Sequence, residues 1–204
     1  MTSPSSWADD RPEPGDLDGN SLLERAVAYT RGSLQLVAST SLTVPTPCRG
    51  WNLYALLCHM NDSLAAFTEA AEIGYVDLMP VRDAGAVGDP GRLLVERLKG
   101  RVCALLAAWA HPRTGPVRVA DRELRSDLLA SAGSLEIAVH GWDVAAACGV
   151  NRPLPPALAA DLWEVVPVLV SDDDRPGRFG EPVDVPAHAP SSARLLAALG
   201  RRSP

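Results

Sequence analysis

The chain has 204 residues, 47% of them hydrophobic, which suits one globular domain with a sizeable core. The formal net charge is −6 and no basic block is present, which argues against nucleic-acid binding and against docking on an anionic membrane. No apolar run approaches the roughly 20 residues of a membrane span, and the N-terminal residues lack the apolar segment of a secretory signal. We expect a cytoplasmic protein, either a monomer or a homodimer, that binds neither nucleic acid nor a membrane.

The cysteines agree with a cytoplasmic location. They are scattered along the chain, and none has the C-x-x-C spacing of a zinc knuckle: Cys48, Cys58, Cys103 and Cys148. This distribution is typical of reduced thiols rather than of a disulfide framework.

The first part of the chain predicts a leader and two helices. Residues 1–19 are rich in proline, glycine and acidic residues, which predicts a disordered leader. A first helix is expected to start near Ser21, capped by that residue or by its neighbour. The run Val44-Pro45-Thr46-Pro47 breaks the chain, and Asn52 is the predicted N-cap of a second helix over about residues 53–72.

The middle of the chain predicts two more long helices. Apolar periodicity indicates a third helix over about residues 92–110, which a proline at 112 stops. Residues 116–121 suggest a short extended piece. A fourth helix is predicted over about residues 123–148, with Gly149 as its C-terminal stop.

The last part of the chain predicts smaller elements. A fifth helix is expected from Pro156 to about Val170, with Pro167 kinking it or ending it early. Residues 179–186 suggest one or two short strands or extended segments, and residues 191–199 a last short helix. Together the patterns predict an all-α fold, in which residues 20–150 form a four-helix bundle and residues 151–204 pack on it.

The predicted fourth helix carries two chemically distinctive residues on its apolar face. On a helical wheel, Glu136 and His140 lie one turn apart among Leu128, Leu129, Ala132, Leu135, Val139, Val144 and Ala147. The opposite face holds Asp127, Ser131, Ser134, Ala138 and Gly141. A buried carboxylate costs several kcal/mol unless it is paired or bound to a metal. The pair therefore indicates a metal site. The alternatives are a simple hydrogen bond between the two side chains, or a position at the protein boundary where one of them is in contact with water.

A third ligand candidate lies on the second helix. The neighbours of His59 on its side of that helix are small or polar, namely Ala55, Asp62, Ser63, Ala66 and Ala70. Small neighbours leave a concavity, whereas a packed core histidine would be ringed by large apolar groups. Together, His59, Glu136 and His140 would leave one coordination position open, as in catalytic zinc sites.

Other polar and aromatic side chains are candidates for the surroundings of this metal. Asp143, one turn beyond His140, could orient that ligand, act as a base, or form a hydrogen bond at the helix C-terminus. Asp62 is a second candidate catalytic residue. The candidate substrate-binding residues are Trp51, Ser63, Trp142, Arg178 and His188. For the two tryptophans, the alternative role is packing.

Two sequence runs resemble the signatures of a known family. Thr46-Pro47-Cys48-Arg49-Gly50-Trp51-Asn52, followed by Leu56-Leu57-Cys58-His59-Met60, resembles the pattern T-P-C-x-G-W…L-L-x-H. The run from Glu136 to Asp143 is similar to the pattern E-x-x-x-H-G-W-D, and the segment from Arg178 to Leu196 resembles the closing segment. The family is an actinobacterial metal-binding group within the DinB-like four-helix superfamily, which includes mycothiol-dependent maleylpyruvate isomerase.

The resemblance covers about residues 21–201 and carries implications for fold and chemistry. It implies an up-down-down-up bundle, a divalent metal, usually zinc, on His59, Glu136 and His140, and the use of a low-molecular-weight thiol such as mycothiol as co-substrate. Two residues depart from the pattern, since Asp62 has no counterpart and His188 stands where an aspartate is expected. The segment after the bundle is shorter than the isomerase's C-terminal domain, so the exact activity is not carried over.

The residues and the resemblance together predict a metal-dependent enzyme acting on a small electrophilic metabolite, similar to mycothiol-dependent S-transferases and isomerases. One alternative is a metal-dependent isomerase, cyclase or hydrolase that uses no thiol. Another alternative is a non-catalytic module that binds a metal or a small molecule.

Overall fold

The structure is a computed structural model that describes residues 18–76, 90–110, 115–119, 122–175 and 177–202. Within these ranges the chain forms helices α1 (Gly19–Leu34), α2 (Leu53–Ile73), α3 (Pro90–Trp109), α4 (Ser126–Ala147), α5 (Pro156–Leu169) and α6 (Ser191–Ala198). Short 3₁₀ helices cover Gln35–Ser39 and Asp172–Asp174. The predicted mostly helical fold is confirmed. None of the described helices combines the length and the hydropathy needed to cross a lipid bilayer.

The four long helices α1 to α4 form the bundle. Helix α1 packs along α4, and α2 packs against both α3 and α4. The interior is filled mainly by leucines, including Leu22, Leu23, Leu34, Leu53, Leu56, Leu57, Leu64, Leu98 and Leu105. Burial of each such side chain contributes about 1.5–3 kcal/mol to folding.

Helix α1 starts slightly earlier than predicted. Asp18 is its N-cap, and its carboxylate accepts a hydrogen bond of 3.1 Å from the Asn20 backbone N–H. The cap is therefore an aspartate upstream of the predicted Ser21. Of the predicted leader, residues 1–17 lie outside the described part of the chain.

Helix α4 is buried on both of its faces, which corrects the single buried face expected from its apolar residues. Ser131, Ser134 and Ala138, assigned to the opposite face, are 6%, 0% and 0% exposed. Their small side chains let α1 approach closely. Thr30 of α1 donates a hydrogen bond of 2.8 Å to the Ile137 carbonyl. One face of α4 thus packs against α1, and the other face carries Glu136 and His140.

Gly141 lies at a close approach of α1 and α4. We expect Gly141→Ala to destabilise the protein by about 1–3 kcal/mol, because the added Cβ would overlap Thr30 Oγ1 and lie 3.0 Å from Thr30 Cβ. Gly100→Ala in α3 is the matched control, since its Cβ would meet nothing within 4 Å. The control should gain up to about 1 kcal/mol from helix propensity. Urea unfolding measures both, and a Gly141→Ala variant as stable as wild type would contradict this packing.

A small sheet lies beside the bundle. Strand β1 (Tyr75–Val76) pairs in parallel with β2 (Val117–Val119), which pairs antiparallel with β3 (Arg122–Leu124). Strand β2 falls within the predicted extended piece, but β1 and β3 were not predicted. No strand forms over residues 179–186, so only the alternative of extended segments remains. Individual hydrogen bonds hold this segment, such as the one of 2.9 Å from the Val183 N–H to the Ala197 carbonyl. Prolines 182 and 186 in this segment have no N–H to donate to a sheet.

The segment that follows α4 is fastened to the bundle. Helix α5 packs against α1, α4 and α6, and it continues past Pro167 to Leu169 rather than ending before that proline. Arg152 donates hydrogen bonds of 2.6 Å to the Tyr29 carbonyl and 2.8 Å to Ser33 Oγ on α1. The Tyr29 hydroxyl donates in return to the Arg152 carbonyl at 2.5 Å. These bonds fix the direction in which the chain leaves the bundle.

Candidate metal centre

The structure brings His59 of α2 and Glu136 and His140 of α4 together. Glu136 Oε1 lies 2.6 Å from His59 Nε2 and 3.3 Å from His140 Nε2. One ligand atom from each of the three side chains lies within 4.8 Å of the others. We refer to these three residues as the triad. The pair predicted from α4 and the histidine predicted from α2 therefore face one another, as the wheel analysis required.

The triad is closed on one side and open on the other. The His140 side chain is only 10% exposed, whereas the side chains of Glu136 and His59 are 29% and 37% exposed. A small cavity on the inner side is lined by Thr30, Met60, Ser63, Leu64, Val102, Glu136, Ile137 and His140. Solvent and small molecules would therefore reach the triad from the side of α2.

Ser63 and Trp51 border the triad, where the sequence placed them. Ser63 Oγ donates a hydrogen bond of 2.9 Å to Glu136 Oε1. The Trp51 ring centre lies 4.8 Å from that of His59 and 6.4 Å from that of His140. Because Trp51 is also 36% exposed, its indole forms a wall at the open side.

Opposite charges share the triad in the metal-free protein. Burial alone would raise the pKa of the Glu136 carboxyl, but the charge of His140 and hydrogen bonds from both histidines hold that pKa well below its usual value. Burial would likewise lower the pKa of His140, but the Glu136 charge and the hydrogen bond with Asp143 raise it well above its usual value. A proton on His140 thus neutralises Glu136 when no metal does.

Asp143 holds the far side of the His140 ring. Its Oδ2 lies 2.9 Å from His140 Nδ1, and its side chain is fully buried. The guanidinium of Arg201 donates to the same carboxylate, at 2.8 Å to Oδ2 and 3.0 Å to Oδ1. An Nδ1–H that donates to Asp143 leaves Nε2 of His140 directed at the triad. This geometry favours the orienting role for Asp143 over the other two predicted roles.

The ionisation of Asp143 also disfavours a role as a base. Burial alone would raise its pKa, but the Arg201 charge and the hydrogen bonds from His140 and Arg201 bring it to about 2. A carboxylate with so low a pKa, fully buried and paired with a guanidinium, accepts a proton poorly at neutral pH.

Cys48 and Arg201 are the two neighbours that the sequence analysis missed. Cys48 Sγ donates to Asp143 Oδ2 at 3.1 Å and lies 3.7 Å from His140 Nδ1. Its position within the T-P-C-x-G-W run was the available signal, although it was interpreted only as a reduced thiol. Arg201 belongs to an unremarkable C-terminal Arg-Arg pair, and no sequence pattern distinguishes it.

A second set of ligand atoms adjoins the triad. Cys48, His140 and Asp143 also bring one ligand atom each within 4.8 Å of the others. The Arg201 guanidinium already pairs with the carboxylate of this set and lies 3.5 Å from Cys48 Sγ. A cation is therefore better accommodated by the triad, where no basic side chain among the described residues competes other than the two histidines.

Other predicted site residues do not contact the triad, namely Asp62, Trp142, Arg178 and His188. Asp62 is exposed and accepts a hydrogen bond of 3.1 Å from Asn61. Trp142 is 2% exposed in the hydrophobic core, which agrees with the packing alternative. Arg178 forms an ion pair of 2.9 Å with Asp174, and His188 is exposed. Within the described ranges, none of the four forms a hydrogen bond, ion pair or ring contact with the triad.

Comparison with solved structures supports the fold. The crystal structure of a mycothiol-dependent maleylpyruvate isomerase superposes with a TM-score of 0.55 and 16% sequence identity, covering 74% of this chain and 70% of that chain. A histidine-to-alanine variant of that isomerase gives a TM-score of 0.53 with the same coverage. At this identity, the likeness concerns the fold alone.

Comparison of sequences identifies the family. An uncharacterized protein of Mycobacterium tuberculosis, found in two strains, is 23% identical over 180 residues, which cover 87% of this chain and 94% of the relative. Residues 23–145, more than half of the chain, match the family described as the mycothiol maleylpyruvate isomerase N-terminal domain. This stretch includes all three triad residues. The resemblance noted in the sequence is confirmed, and the chain belongs to the mycothiol maleylpyruvate isomerase N-terminal domain family.

Proposed function

We propose that this protein is a zinc-dependent enzyme that uses mycothiol or a related low-molecular-weight thiol to transform a small electrophilic metabolite. The observation that carries the proposal is the triad, with one carboxylate and two imidazoles converging from two packed helices. Family membership supports the thiol, and the solved relative is named as a mycothiol-dependent isomerase.

The donor set fits zinc. Two imidazole nitrogens and one carboxylate oxygen are ligands that zinc prefers, and three protein ligands leave a position open for chemistry. The hydrogen bond between His140 Nδ1 and Asp143 is the support that a metal-bound histidine usually has. A divalent metal in such a site supplies Lewis acidity, which lowers the pKa of a bound thiol or water.

The residues of the chain would prepare the site in distinct ways. Asp143 holds the His140 ring, and Ser63 restrains the Glu136 carboxylate through its hydrogen bond of 2.9 Å. The exposed indole of Trp51 offers a flat apolar wall for an unsaturated substrate beside His59. Since a free thiol is already a few per cent ionised at neutral pH, ionising it fully gains only some tens-fold. Positioning of the electrophile must supply the rest of the rate.

Turnover assays test the proposal directly. Zinc-loaded protein is mixed with mycothiol and a panel of small electrophiles that includes maleylpyruvate, and consumption of each substrate is followed. We expect turnover that requires both metal and thiol and that disappears when a chelator removes the metal. Turnover that needs the metal but no thiol would refute the thiol, and would support an isomerase, cyclase or hydrolase instead. Stoichiometric zinc without turnover on any substrate would favour a binding module.

Zinc affinity should depend on pH in a particular direction. Zinc must displace the proton that Glu136 retains on His140, and the pKa of that imidazole is raised. The affinity should therefore keep rising with pH above about 7, where an ordinary histidine is already mostly deprotonated. Competition with a chelator of known affinity, from about pH 6 to about pH 9, measures this dependence. An affinity that is constant above about pH 7 would contradict the raised pKa.

A further inference from the structure

The segment that follows α6 places a positively charged side chain, Arg201, beside the candidate metal centre. Arg201 follows α6, and only 8% of its surface is exposed. Its guanidinium spans the Asp143 carboxylate, with Nε 3.0 Å from Oδ1 and Nη2 2.8 Å from Oδ2. The remaining nitrogen, Nη1, donates to the Leu199 carbonyl at 3.0 Å. All three nitrogens of the guanidinium are therefore engaged inside the protein.

Arg201 is the partner that fixes the orientation of Asp143. Within the described ranges, Oδ1 of Asp143 accepts a hydrogen bond from Arg201 alone. Oδ2 accepts hydrogen bonds from His140 and Cys48 in addition to that from Arg201. Without Arg201, a fully buried carboxylate would lose its permanent cation and three of its five described hydrogen bonds. The ring of His140 depends in turn on Asp143, because that carboxylate, at 2.9 Å, is a closer partner of Nδ1 than Cys48 Sγ at 3.7 Å.

We propose that Arg201 is a positioning residue for the metal centre, which it reaches through Asp143 and His140 without touching the triad itself. The inference rests on the proposed function, because it presumes that the triad binds a metal. In this arrangement the segment that follows α6 supports a site whose three proposed ligands all lie within the bundle. The affinity of the triad for zinc then depends on a residue that lies outside the stretch matched by the family.

The fold fixes the position of Arg201 through close backbone contacts. Gly200 adopts a left-handed conformation with φ of 78°, and a Cβ there would lie 2.5 Å from the backbone of Gly180. Arg175 holds the same region, since it donates to the Gly180 carbonyl and, at 2.7 Å, to the Ala198 carbonyl. Arg175 has no described contact with Asp143 or the triad, so it provides a control for simple attachment of the tail.

Zinc affinity of variants tests the proposal. Arg201→Ala should bind zinc about 10- to 100-fold more weakly than wild type, the usual loss when the support of a metal-bound histidine is removed. Arg175→Ala should stay close to wild type at a temperature where circular dichroism shows both variants folded. Millimolar guanidinium should restore part of the affinity of Arg201→Ala, by filling the vacated position, and should not change Arg175→Ala. A role limited to stability would not produce this selective rescue.

A conservative variant and a spectroscopic signature complete the test. Arg201→Lys keeps the charge but lacks the planar fork, so an intermediate affinity is expected. The absorption spectrum of cobalt(II) bound in place of zinc should change in Arg201→Ala and return towards wild type with guanidinium.

The outcomes separate the two proposals. Wild-type protein that binds no zinc would overturn the proposed function. If the wild-type protein binds zinc and either Arg201→Ala or Arg201→Lys binds it as tightly as wild type, the inference about Arg201 is overturned while the proposed function stands. Equal losses in Arg201→Ala and Arg175→Ala would also overturn it, because attachment of the tail would then be the whole effect.

Discussion

His140→Ala should bind zinc at least on the order of 100-fold more weakly than the wild-type protein. Zinc sites with four protein ligands gain roughly 10–16 kcal/mol in total, so an equal share for each ligand is worth about two to three powers of ten in affinity. His140 is also the triad member with the least exposed side chain, at 10%, so water does not readily replace it. Purification without chelator, elemental analysis and competition with a zinc indicator measure the loss.

The matched control for that experiment is His188→Ala. His188 is exposed and has no described contact with the triad, so its removal should leave zinc content and affinity unchanged. Full zinc content in His140→Ala would show that the metal binds elsewhere. A loss in His188→Ala equal to that in His140→Ala would bring the tail histidine into the site and revise the assignment of ligands.

Asp143→Asn should have the second large effect, on stability as well as on zinc affinity. The variant keeps the shape of the side chain but leaves Arg201 buried without a counter-charge, which costs about 3–5 kcal/mol in comparable buried pairs. Zinc affinity should fall about 10- to 100-fold, because an amide holds the His140 ring less firmly than a carboxylate. Asp62→Asn is the control, since that side chain is exposed, and its effect on stability should stay within about 0.5 kcal/mol.

Acid unfolding provides an independent test of the same pair. The pKa of Asp143 is lowered in the folded protein from 3.8 to about 2, so its ionised form stabilises the fold. That stabilisation, about 2 kcal/mol, is complete above about pH 4 and is lost as the pH falls towards 2. Asp143→Asn should lack this part of the acid dependence.

Zinc content and turnover of the same variant distinguish the two roles of Asp143. If Asp143→Asn retains its zinc while turnover falls, Asp143 acts as a base and the orienting role is wrong.

The triad could be predicted because its signal is local. Glu136 and His140 are one helical turn apart within a strongly apolar pattern, and burial of both groups requires a partner. His59 was recognisable from the small residues on its side of α2. In each case the sequence signal lies within a few positions of the triad residue, a distance over which helical periodicity is reliable.

The missed features depend on contacts between distant parts of the chain. Ser134 and Gly141 look like a polar face of α4, yet their small size is what admits α1. Arg201 meets Asp143 across 58 positions of sequence, and this contact exists only because α5 and α6 return the tail to the bundle. Helical periodicity contains no information about such a return.

The double burial of α4 has a consequence for motion at the site. A helix enclosed on both faces opens only with the whole domain, so amide hydrogens near Ile137 should be among the slowest in the protein to exchange with solvent. Two residues of the triad, Glu136 and His140, lie on this slowly exchanging segment. His59 lies on α2 beside the exposed Trp51, on the side open to solvent. We therefore expect small molecules to enter and leave the site through fluctuations of His59 and Trp51, while α4 keeps its position.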